Sequence, residues 1–281
     1  MKHYFLFDAL LHRDKTAPLI TSAKKLIDVL NIDAVPFVDA NADVGNEYLG
    51  LNTLKFLEHY AYNLSKAADE QRDILCIEQS SLIAHAHTKE ILLQDTHLKF
   101  EIAQRLEKHN ISLNLNANVV ALEEILTQDT VLETLLTQIK HPFSNFQAAL
   151  FLGTNGCRAK KYRKEACFTQ LFECIKLKSI AHESMYESDG FEVNDTSLHL
   201  SHQLAATAMI DMFDHAADFV VISDARSFIM FDHAQKELEK VINREIGLSV
   251  FSMPELLLLA MGLTDKKMIG LDRHSTPVTL L

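Results

Sequence analysis

Thiols are scarce in this chain. Its 281 residues include four cysteines, Cys76, Cys157, Cys167 and Cys174. With no export signal, so few argue for free thiols rather than a disulfide framework. Glycine is scarce too. The eight glycines are scattered singly, and no glycine-rich loop for phosphate can be assembled from them. G-x-S-x-G, H-E-x-x-H and Walker patterns are absent. Long apolar runs are missing as well: none reaches eighteen residues, so no segment is expected to span a bilayer. The apolar run within Met1–Asp8 is too short for a signal peptide, and a cytoplasmic protein is expected. Positive charge is in deficit. A net charge of −11 repels phosphate backbones and anionic membranes, which excludes nucleic acid as a natural partner.

What is present is an ordinary globular composition, 48% hydrophobic and 23% charged, enough to bury a full core. Short apolar runs alternate with amphipathic ones. Strands are predicted at Tyr4–Phe7, Val35–Val38, Ile74–Ile77, Gln147–Leu152, Phe219–Ile222 and Leu248–Phe251, with extended chain at Ile111–Leu115 and Ser184–Tyr186. Helices are predicted over Thr16–Leu30, Asn52–Lys66, Ser80–Leu93, Leu98–Lys108, Val119–Leu126, Thr130–Ile139, Arg163–Leu177, Ser197–His215, Ser227–Asn243 and Pro254–Met261. His141-Pro142 marks a break, because proline disfavours helix in the residue before it. The strand–helix alternation then restarts. The expectation is an α/β fold of two similar halves, each a small, largely parallel sheet flanked by helices, spanning residues 1–140 and 146–281.

Several residues fall at repeated intervals. In the second half, Gly153-Thr154-Asn155-Gly156-Cys157 follows the first strand. Thirty residues separate Cys157 from Ser188-Asp189-Gly190, and Asp224-Ala225-Arg226-Ser227 follows the third strand. Then come Phe231-Asp232-His233-Ala234-Gln235 and Glu255-Leu256-Leu257-Leu258-Leu259-Ala260-Met261-Gly262. This arrangement resembles the cysteine-rich CCG-domain family, which includes the B-type component of heterodisulfide reductase. Members carry a lone Cys, a Cys-Cys-Gly and a Cys-x-x-Cys in each half, and the thiolates hold a non-cubane iron–sulfur cluster. On that resemblance, Cys157 keeps the lone place, Ser188 and Asp189 replace the paired cysteines, and Asp224 and Ser227 replace Cys-x-x-Cys, with Arg226 between. In the first half, Asp8 takes the lone place, Asp39-Ala40 the pair, and Cys76 to Gln79 the Cys-x-x-Cys. The resemblance thus implies a degenerate member, with two of ten thiolates left.

Each of these residues also has a plainer reading. Cys76 and Cys157 serve as small residues at strand ends, and Cys167 and Cys174, seven apart on one helix, as core. His85 and His87, two apart, point to different sides of a helix and lack a third ligand. Asp232 and Gln235 organise a turn or a contact between halves. The resemblance implies a cluster-less protein of the heterodisulfide reductase B type. Its expected role is that of a non-catalytic subunit or scaffold associated with an intact redox-complex subunit, with no cofactor of its own. The alternative is a small-molecule binder or enzyme that reuses the vacated pocket of the second half. Iron–sulfur redox catalysis is not expected without the ligands.

Overall fold

The computed structural model describes residues 2–164 and 166–278. Two four-stranded sheets carry the fold. The first contains β1 (Tyr4–Phe7), β2 (Ala34–Pro36), β3 (Asp73–Cys76) and β4 (Val119–Ala121), in the order β2-β1-β3-β4. The second contains β5 (Gln147–Phe151), β6 (Lys178–Ile180), β7 (Phe219–Ile222) and β8 (Ser249–Ser252), in the order β6-β5-β7-β8. All neighbours in both sheets are parallel. Parallel neighbours need long crossovers, and the helices that make them cover the sheet faces. The α/β architecture of two similar halves is therefore the observed one.

The fully buried strands explain why the pattern was legible. β1, β7 and β8 are buried at all four positions, and their sequences Tyr-Phe-Leu-Phe, Phe-Val-Val-Ile and Ser-Val-Phe-Ser fit that setting. Two edge strands, β4 and β6, differ from expectation. Extended chain was expected at Ser184–Tyr186, but that segment is a turn of 3-10 helix and the edge strand is Lys178–Ile180. Two of its three residues are exposed, so it has no apolar signature. Likewise Ile111–Leu115 joins no strand among the described residues, and Val119–Ala121, expected to open a helix, instead pairs with β3. Its β-branched Val119 and Val120 favour the strand, and the helix begins at Leu122. The expected helix Ser227–Asn243 is broken in two by a π turn at Ile229–His233.

By its contacts the chain forms two compact units that are not contiguous halves: Met1–Leu11 with Ile32–Leu122, and His12–Asn31 with Glu123–Leu281. In the first unit, the helix Thr53–Asp69 buries Phe56, Leu57, Tyr60, Ala61 and Leu64. In the second, every residue of the helix Met253–Ala260 is buried. The helix Ala17–Val29 packs on it, with Leu19, Ile20, Ala23, Leu26 and Ile27 buried. Ser252 and Glu255 close a capping box at the start of Met253–Ala260.

Candidate functional site

β5 and β7 of the second unit end side by side, with Phe151 paired to Ile222. Two residues beyond Ile222, Asp224 caps the helix Ala225–Phe228, accepting a hydrogen bond from the Arg226 backbone at 3.0 Å. Its other oxygen accepts from Asn155 Nδ2 at 2.9 Å. Asn155 lies on the short helix Gly153–Ala159 that follows β5. Asp189 comes in on the loop after β6. It accepts from the Ser227 hydroxyl at 2.7 Å and from the Phe191 backbone at 2.9 Å. Asp189, Asp224, Arg226 and Ser227 are all buried. The guanidinium of Arg226 stacks over the Phe191 ring, 5.3 Å from its centroid.

Two neighbours complete the cluster. Ser188 donates to Glu192 Oε2 at 3.0 Å and accepts from the Gly190 backbone at 2.9 Å. Thr154 donates to the other Glu192 oxygen at 2.8 Å. Gly190 has φ +80°, and a Cβ there would run into the Ser201 carbonyl. That close approach explains why a glycine stands after Ser188-Asp189. Cys157 is exposed. It is two residues beyond Asn155, about 200° round the helix, so Asn155 rather than Cys157 meets Asp224. Sequence reasoning missed Asn155, whose only signal was its place in Gly-Thr-Asn-Gly-Cys.

Burial, the Glu192 charge and the Asp224 charge raise the Asp189 carboxyl from 3.8 to about 7, against the pull of its bond from Ser227. A folded-state value above the unfolded one means the protonated form is favoured by folding. Its contribution is present below about pH 4 and is lost as pH rises through about 7. Asp189→Asn keeps the shape without the charge. At pH 8 it is expected to raise stability by about 3–4 kcal/mol at most. At pH 4 it should change little. Urea denaturation at both pH values checks this.

The first unit repeats the arrangement, at other positions than spacing suggested. Cys76 pairs with Phe7 as Ile222 pairs with Phe151, so Glu78, two residues on, is the counterpart of Asp224. It caps the helix Gln79–Gln94 in the same way, accepting from the Ser80 and Ser81 backbones at 2.9 and 2.6 Å. Cys76 is thus a fully buried strand residue, and Gln79 is buried at the helix start. Asp39 is exposed. The buried carboxylate of this loop is Asp43, eight residues beyond Val35, which pairs with Phe5. Asp189 lies nine residues beyond Ile180, which pairs with the equivalent Ala149. Asp43 accepts from the Tyr60 hydroxyl at 2.6 Å. Burial, reinforced by Asp43, pushes the Tyr60 phenol upward. Asp8 is buried just after β1.

His85 belongs to this first-unit network. Its Nδ1 donates to the Ser81 carbonyl at 2.8 Å, since a carbonyl can only accept, and its Nε2 therefore accepts from Asn63 Nδ2 at 3.0 Å. Burial pushes its pKa down to about 4. It is a neutral, satisfied core histidine, and no group of three or more possible metal ligands occurs among the described residues.

A third polar cluster occupies the second unit. Asp232, on the π turn, accepts from the Ser275 and Thr276 backbones at 2.7 and 3.2 Å. Gln235 donates to the carbonyls of Phe231 and Leu248, both at 2.8 Å. His274 is buried between two buried carboxylates: 2.8 Å from Glu255 through Nε2, and 3.5 Å from Asp232 through Nδ1. Phe-Asp-x-x-Gln therefore fastens the C-terminal segment to the sheet.

Residues 189–275, from Asp189 through the His274 cluster, match the HdrB-like C-terminal domain. The crystal structure of a hypothetical protein from Helicobacter pylori shares the fold, with a TM-score of 0.83 and 22% identity. That match covers 100% of this chain and 53% of the other, so the chain spans about half the length of that protein.

Proposed function

We propose, from the premise that its C-terminal segment is HdrB-like, that this chain is a cluster-less relative of the B-type component of heterodisulfide reductase. It acts as a non-catalytic subunit or scaffold in a redox complex. The observation that carries this reading is the Asp189–Ser227 and Asp224–Asn155 pairing. Groups at the places of four thiolates are engaged with each other and with backbone amides, as buried polar groups must be. Carboxylates and hydroxyls are hard donors, whereas iron–sulfur clusters are held by soft thiolates. The residues present do not fit the cluster, and no redox step is assigned to them. The alternative, a ligand site in the vacated pocket, would require breaking these bonds.

Isolation of the tagged chain from its own cells without oxygen tests the proposal. The expected result is a chain free of iron, together with a co-purifying subunit that carries iron and intact cysteine motifs. Recovery of the chain alone, with stoichiometric iron, would contradict it.

A further inference from the structure

The loops that bring in the two buried carboxylates, Asp43 and Asp189, each border an open cavity. The second-unit cavity, about 500 Å³, is acidic, with Glu183, Glu187 and Asp211 in its wall. Asp211 is engaged there by the Ser184 backbone at 2.8 Å. The first-unit cavity, about 410 Å³, lies against Asn41 and Val44 on the loop and the helix Thr53–Asp69. Its chemistry differs. Lys55, His59 and His109 line it, and the single carboxylate, Glu58, is engaged by Arg105 at 3.3 Å and faces His109 at 3.6 Å. His59 is tied to the Ala42 carbonyl at 2.6 Å, which fixes the loop against the helix. Val44 and Leu106 supply apolar wall, and the rings of Tyr48 and Tyr62 pack against the core beneath.

The side chains of Lys55, Tyr48 and Tyr62 make no hydrogen bond or ion pair among the described residues. One ammonium and two phenols therefore stand in the cavity wall beside Val44 and Leu106. A cavity of this size, lined by polar side chains beside Val44, Leu106 and two tyrosine rings, suits a small molecule with a polar head and an apolar body. We infer that the first-unit cavity binds a small organic monoanion, a carboxylate on a flat apolar body, with Lys55 on the carboxylate and the tyrosine rings on the body. A single ammonium and a wall carboxylate favour one negative charge over two. The inference is independent of the cluster-less reading, because Lys55, Tyr48 and Tyr62 are outside the residues aligned with cluster ligands.

Calorimetric titration of the whole chain tests it, with benzoate, inorganic phosphate and benzylamine as probes. Benzoate is expected to bind saturably at one site, with a Kd on the order of 1 mM. Lys55→Gln should weaken it about tenfold, and Tyr62→Phe by a smaller factor. Glu187→Gln, in the acidic cavity, should leave it unchanged. Unaltered circular dichroism of each variant shows that it has folded. Absence of saturable benzoate binding overturns the inference. So does equal affinity in Lys55→Gln, or binding of phosphate or benzylamine as tight as that of benzoate.

Discussion

A fragment of residues 123–281 is expected not to fold alone, and to fold when a peptide of residues 12–31 is added. The second compact unit includes residues 12–31. Their helix covers Met253–Ala260 with the buried Leu19, Ile20, Leu26 and Ile27. Burying one such side chain contributes roughly 1.5–3 kcal/mol. Four together give roughly 6–12 kcal/mol, about the whole stability of an ordinary domain. The approach is close: a Cβ on Gly270 would lie 2.9 Å from Pro18 Cα. Loss of the helix also uncovers the face of Met253–Ala260 that it packs on. Circular dichroism and urea melts check this, and a cooperative transition in the fragment without the peptide would refute it.

Removing the imidazole of His274 is expected to have the next largest effect. Burial alone would lower its pKa, but Glu255 and Asp232 together raise it from 6.5 to about 10. The histidine is thus a cation in the fold, compensating two carboxylates that are almost wholly buried. His274→Ala leaves those charges together without it and should cost about 3–5 kcal/mol. The pH dependence has a definite sign. A pKa raised on folding gives stability that is full below about pH 6.5 and fades as pH rises through about 10. Urea midpoints of the parent should fall between pH 6 and pH 10, and those of His274→Ala should fall much less. Parallel curves for the two proteins would show that His274 is not the charged partner.

The buried strands, the edge strand β8 among them, were legible in the sequence, and the edge strands β4 and β6 were not. β1 and β7 are continuous apolar runs because both faces are covered. β6 gave no signal because two of its three residues face water. The same limit acted on the sites. In the second half, spacing led to Asp189, Asp224 and Ser227, and Asp189 and Ser227 meet in the fold although β6, the strand before Asp189, gave no signal. In the first half, equal gaps led to Asp39 and Cys76. The sheet register instead gives Asp43 and Glu78 as the counterparts of Asp189 and Asp224, the loop being one residue shorter. Asn155 and His274 were invisible as partners because each meets its carboxylate only in the folded chain, across 69 residues for Asn155–Asp224 and 19 for His274–Glu255.

The central claim is that Ser188, Asp189, Asp224 and Ser227 occupy the places of cluster thiolates. Its most direct test is iron content after anaerobic reconstitution of the parent and of one variant, S188C/D189C/D224C/S227C, with Cys157 retained. The parent is expected to take up no iron. The variant is expected to bind iron stoichiometrically, with thiolate-to-iron absorption in the visible. Stoichiometric iron in the parent, or a folded variant that takes up none, would contradict the account.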